Sequence, residues 1–134
     1  MGGMAEPPAV DKGLLWFSLV IQVAGFPLAL AVGVPFTVMW LIICFLMVIY
    51  SHPAVRLKSN SVAALLAVAL GQGAVGFAAG WFAVRTEWVS LLETEALWGM
   101  VTTALIVTGL YIITQSYQTK EDSERGDKTL PVLL

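Results

Sequence analysis

Charge is what this sequence has least of. Only 12% of its 134 residues are Asp, Glu, Lys or Arg, where a soluble domain carries about a quarter, and none of them interrupts an apolar run. Ionisable residues inside a membrane mark proton relays, ion paths and coupled transport. Their absence argues against a proton-coupled pump, an antiporter or an exporter built on an intramembrane carboxylate. Seven basic against nine acidic residues leave a formal net charge of -2, so there is no basic face for nucleic acid.

Cysteine and histidine are equally scarce. Cys44 is the only cysteine, which excludes an internal disulfide and a multi-cysteine metal site; between Ile43 and Phe45 it reads as a small packing residue. His52 is the only histidine, so a bis-His haem cannot be built. Imidazole is the commonest protein ligand, which makes His52 the one candidate for a metal, a haem or a chlorophyll-type magnesium, although a lone histidine in a connection is more commonly solvated. No Ser, His and acid set stands out, and the residues lead one to expect a protein that is not an enzyme. The N-terminal stretch has a single basic residue and no small-residue cleavage site after the first apolar run, so that run is expected to be retained. Gly2 does not read as a myristoylation site, since Glu6 stands where Ser or Thr is needed.

What is abundant is apolar surface: 58% of the residues are hydrophobic and the mean hydropathy is +0.84. The chain reads as an all-α integral membrane protein. From Leu14 to Tyr50 no residue is charged, and one straight helix of that length would run roughly 55 Å against a hydrocarbon core of about 30 Å. The sequence "AVGVPF" breaks the run, because Gly33 and Pro35 together end a helix and permit a tight reversal. The expected spans are 14–32, 34–50, 62–84 and 96–115, a four-helix bundle of two tight hairpins occupying 14–115. Short tails of 1–13 and 116–134 flank it, the second polar, mixed in sign and expected to be disordered by itself. Pro27 should kink the first helix.

Orientation follows from the basic residues, since Lys and Arg concentrate in cytoplasmic loops. With four spans and both termini cytoplasmic, Lys12, Arg56, Lys58, Lys120, Arg125 and Lys128 lie inside and only Arg85 outside. Trp16, Tyr50 and Tyr117 then lie at the inner surface and Trp81, Trp88 and Trp98 at the outer; Trp40 is the deep exception. Glu87, Glu93 and Glu95 make the outer connection acidic, which reads as a solvated face.

The stretch "ALGQGAVGFAAGW" concentrates glycine in the third helix, against a helix propensity about 1 kcal/mol worse than alanine for each. Ala69, Gly73, Gly76 and Gly80 recur at intervals of 4, 3 and 4, the pattern of a packing seam, and small residues let helices approach closely in lipid. Gln22 and Gln72 lie at similar depth and need hydrogen-bond partners. Thr103, Thr108 and Thr37 are candidates, so these amides read first as interhelical contacts and second as a small midplane ligand site. No resident cofactor is expected; contact with a lipid, a quinone or a pigment carbonyl is left open. A faint similarity between "QVAGFPLALAV" and "QGAVGFAAGWFAV" hints at two parallel hairpins.

These features favour a non-catalytic accessory or assembly subunit of a larger membrane complex, of the respiratory, photosynthetic or ATP-synthase type, with membrane lipids and other subunits as partners. The second reading is a small homo-oligomeric transporter or channel. The topology itself has a direct test. A reporter that works only in the cytoplasm is expected to be active when fused to the C-terminus and silent when inserted beside Arg85; the reverse pattern would reject the orientation with both termini cytoplasmic.

Overall fold

The structure is a computed structural model that describes residues 12–51 and 60–116. The N-terminal tail before Lys12, His52, Arg56 and Lys58, and the polar tail beyond Ser116, for which the sequence raises expectations, lie outside the described residues. Within them the chain is all helical: α1 (Lys12–Val32), α2 (Val34–Ser51), α3 (Ser61–Ala67), a π-helical segment (Val68–Val75), α4 (Gly76–Phe82), a 3₁₀ turn (Trp88–Leu92) and α5 (Thr94–Ser116). Three rods are long and apolar enough to cross a bilayer, Lys12–Val32, Ser61–Phe82 and Thr94–Gln115; the apolar part of α2, Val34–Tyr50, is shorter.

The α1–α2 reversal turns on one residue. Gly33 has φ 149°, a region that side-chain-bearing residues rarely enter. Its amide still donates to the Ala29 carbonyl at 3.2 Å, closing α1. Its carbonyl accepts from both the Thr37 amide and the Thr37 hydroxyl, at 3.0 and 2.9 Å. Thr37 is buried and thus satisfied within its own helix, not by a deep amide on another. Pro35 falls in the first turn of α2, where a missing N–H breaks no helical bond. The hairpin is closed by Trp40, whose ring lies 3.3 Å from where a Cβ on Gly25 would stand and whose centroid is 6.3 Å from that of Phe26. That contact explains why this one tryptophan is deep.

Helix α3 begins at a true cap. Asn60 is extended (φ -114, ψ 117), and its Oδ1 accepts from the amides of Val62 and Ala63 at 3.1 and 3.0 Å, satisfying two donors that a helix start leaves open. The single helix expected over 62–84 is divided. After Ala67 the backbone opens into the π segment, returns to α-helix at Gly76 and ends at Phe82. There the Ala83 amide is shared between the Ala79 and Gly80 carbonyls, a 3₁₀-type tightening common at helix ends.

The composite rod Ser61–Phe82 is the centre of the structure, with a third of its apolar window buried. Its π segment packs most extensively on α5, α2 packs on α4, and α1 leans on α2. At Gly73 the rod meets the backbone of another helix: an added Cβ would run into the Cα of Ala104 and stand 2.9 Å from its Cβ. At Gly99 of α5 it would run into the ring of Phe77. By contrast α1 buries only Ala29, and large side chains such as Phe17, Val20 and Leu28 face outward. On a membrane protein these outward groups meet acyl chains.

The α4–α5 connection is ordered by aromatic packing. Phe82 is fully buried with its ring centroid 5.2 Å from that of Trp88. The Trp81 Nε1–H donates to Ser90 Oγ at 3.1 Å, and that hydroxyl donates to the Glu87 carbonyl at 2.7 Å. Arg85 lies 3.8 Å from Glu93 and 5.9 Å from the centroid of the Trp81 ring. This exposed ion pair contributes little to stability; the buried Phe82 and Ser90 hold the turn.

The two glycines Gly73 and Gly80 should behave oppositely. Gly73→Ala forces backbone apart and should destabilise the protein by about 1–3 kcal/mol, the usual range for overpacking. Gly80 has nothing within 4 Å, so Gly80→Ala should be neutral or slightly stabilising. Thermal unfolding of both variants in the same detergent checks this, and equal melting temperatures would refute it.

Candidate functional site

Between α2, the central rod and α5 lies a partly open apolar cleft of about 310 Å³, within the size range of small-molecule sites. Helix α2 supplies Ile43, Leu46, Met47 and Tyr50, one face at intervals of three and four. The end of α3 and the π segment supply Ala67, Val68, Gly71 and Gln72, and α5 supplies Tyr111. Ile43 and Tyr50 are seven residues apart, about 10 Å along α2. The rod runs antiparallel to α2, so Ala67 and Tyr50 lie towards one end of the cleft, and Ile43 and Gln72 towards the other.

The ends differ in chemistry. At the first, the hydroxyls of Tyr50 and Tyr111 are 3.3 Å apart and bridge α2 to α5. Between the ends, Gly71 is buried, and a Cβ there would stand 3.2 Å from Cδ1 of Leu46. The bore of the cleft is therefore set where a backbone without a side chain meets a leucine. At the far end Gln72 is exposed and borders the space. Segments of π-helix occur frequently at functional sites, and this one contributes Val68, Gly71 and Gln72 to the wall.

The residues singled out from sequence divide. Of the spaced small residues Ala69, Gly73, Gly76 and Gly80, Gly73 makes the close approach to another helix. Ala69 is half-buried, a Cβ on Gly76 would stand 3.7 Å from the Gly71 carbonyl of its own rod, in ordinary contact, and one on Gly80 would meet open space. The interval of 4, 3 and 4 describes one face of an α-helix, and the π segment between Val68 and Val75 changes the turn on which that face depends. Gln22 lies on the outward surface of α1, away from the cleft that Gln72 borders, so the structure does not bring the two amides together. Thr103 is half-buried on α5, and Thr108 Oγ1 is buried with no hydrogen-bond partner among the described residues. Cys44 is half-buried and free. The sequence does not reveal Tyr50 and Tyr111 as a pair: it places Tyr50 among the membrane-surface aromatics and does not single out Tyr111. The available signal is that each tyrosine lies in the C-terminal part of an apolar helix.

Among the described residues no group of three or more His, Cys, Asp or Glu is placed to hold a metal ion. The described cations Lys12 and Arg85 do not line the cleft.

Fold and cleft together define an all-helical integral membrane protein with an internal apolar recess, its outer surface made for lipid. Residues 10–134 match the UbiA prenyltransferase family. The chain belongs to that family. No curated protein and no solved structure matches it.

This membership corrects the functional expectations. The family consists of membrane-bound prenyltransferases, which are enzymes, and this overturns the readings of a non-enzyme, of an accessory subunit of an electron transport or ATP-synthase-type complex, and of a transporter or channel. The argument from missing charge failed for a physical reason. A surface that receives an isoprenoid chain is built from the same Leu, Ile, Met, Val and Gly as a packed membrane core, so hydropathy cannot tell them apart.

The Tyr50–Tyr111 bridge can be measured by itself. Tyr50→Phe removes one neutral hydrogen bond and should lower stability by about 0.5–1.5 kcal/mol, read as a fall in melting temperature. An unchanged melting temperature would show that this hydrogen bond does not stabilise the bundle.

Proposed function

We propose that the protein is a membrane enzyme of prenyl transfer, and that the cleft between α2, the π segment and α5 holds the isoprenoid chain of its lipid substrate. Family membership over residues 10–134 carries this reading. The cleft supports it: the lining is mainly aliphatic, the hydroxyls of Tyr50 and Tyr111 stand at one end, and an amide, Gln72, stands at the other. Of the lipid, quinone and pigment contacts open from sequence, a prenyl lipid fits such a lining best.

Transfer from a prenyl diphosphate breaks the bond between the terminal carbon of the chain and the leaving oxygen. The diphosphate departs with the electron pair, and the carbon bonds to a nucleophilic acceptor atom that gives up a proton. The described helices contribute to the apolar half of this task. They seat the chain, orient it along the cleft and keep water from the reactive carbon. The charged half needs cationic partners for the leaving group, and the described lining contains none.

We further propose the four-span arrangement with both termini cytoplasmic. Helix α2, at 18 residues, would be about 27 Å long, close to the core thickness of about 30 Å. The tyrosine end of the cleft would then open near the cytoplasmic surface, where a charged, water-soluble head group can approach.

A photoreactive prenyl diphosphate, bound to the purified protein in lipid nanodiscs and activated by light, tests the assignment. Labelling is expected on the peptides carrying Leu46, Met47 and Val68, and should be competed by unlabelled prenyl diphosphate. Labelling confined to the outward residues of α1, such as Phe17 and Val20, would overturn it.

A further inference from the structure

Gly71 and Gly73 are two residues apart on the same π segment and meet different helices. Gly73 faces the backbone of α5 at Ala104, which cannot yield, whereas Gly71 faces the side chain of Leu46 on α2. A Cβ at Gly71 would stand 3.2 Å from Leu46 Cδ1 and 3.8 Å from its Cβ. The leucine terminus can rotate away, and because both residues line the cleft, it moves at the expense of the cleft's bore. Leu46 lies three residues from Ile43 and four from Tyr50 on α2, about midway along the recess. Gly73 is thus a packing residue, and Gly71 shapes the space beside it.

We infer that Gly71 and Leu46 form the gauge that determines which prenyl chains the cleft admits. The inference rests on the cleft being the prenyl site. A short chain stops between Tyr50 and Leu46 and does not meet the gauge. A longer chain has to pass the leucine, through room that exists because residue 71 has no side chain. Gly71→Ala narrows that passage with a neighbour that can adjust, so the fold tolerates it while long chains do not. Leu46→Ala restores the lost volume from the opposite wall.

The experiment is a binding series with prenyl diphosphates of increasing chain length, measured on wild type, Gly71→Ala, the Gly71→Ala/Leu46→Ala double variant and Gly80→Ala in lipid nanodiscs. Crowding of about 2 kcal/mol, the centre of the usual 1–3 kcal/mol range, corresponds to roughly thirtyfold weaker binding. That loss is expected for the longest chains in Gly71→Ala, with the shortest changed by less than about twofold. The double variant should recover long-chain binding, and Gly80→Ala should match wild type. Melting temperatures in the absence of ligand separate a narrowed cleft from a disturbed fold. Equal weakening at every chain length, or no recovery in the double variant, would overturn the gauge while leaving the prenyl site standing. Failure of wild type to bind any prenyl diphosphate would overturn the site, and the gauge with it.

Discussion

The structure depends on one close approach, that of the backbone at Gly73 to the backbone of α5 at Ala104. In lipid, no hydrophobic force draws apolar helices together, so association relies on contact area and on how near the backbones come. A single methyl group at position 73 would hold the central rod away from α5. Around that contact the other elements are placed in sequence: α4 continues the rod and receives α2, and α2 carries α1. The ends are tied separately, by Gly33 at one hairpin and by the aromatic cluster of Phe82, Trp81 and Trp88 at the other.

The same segment that permits the approach also opens the recess. An α-helix through Val68–Val75 would keep Ala69, Gly73, Gly76 and Gly80 on one face and make that face a continuous seam. The π segment spends Gly73 on α5 and Gly71 on the space beside Leu46. A membrane bundle packed tightly along its whole length has no room for a lipid chain, and one packed loosely has no fixed position for the chain. Close contact on one side of a rod and an opening on the other meets both demands.

The proposal that the opening holds a prenyl chain rests on membership of a prenyltransferase family. An enzyme that handles isoprenoid chains has to treat a long apolar molecule as substrate while standing in a solvent of long apolar molecules. On the proposed reading, selectivity in the recess depends on shape, with the few polar groups at its ends supplying direction. Tyr50 and Tyr111 at one end and Gln72 at the other fit that division of labour.

The sequence by itself determined that the protein is helical and lies in a membrane, because apolar runs without charge leave backbone groups no partner in lipid except within a helix. It also placed the reversal at Gly33 and Pro35, where backbone conformation is local chemistry. The cap at Asn60 is local chemistry too, although within the polar stretch "SHPAVRLKSNS" it does not stand out from a general aqueous connection. Where the third helix departs from α-geometry, which glycine is covered and which left open, and that Tyr50 meets Tyr111 across 61 positions, only the tertiary structure decided. Glycine in an apolar helix looks the same in sequence whether it lies against a neighbouring backbone, beside a leucine or in open space. The difference is the position of another helix, and no local pattern encodes that.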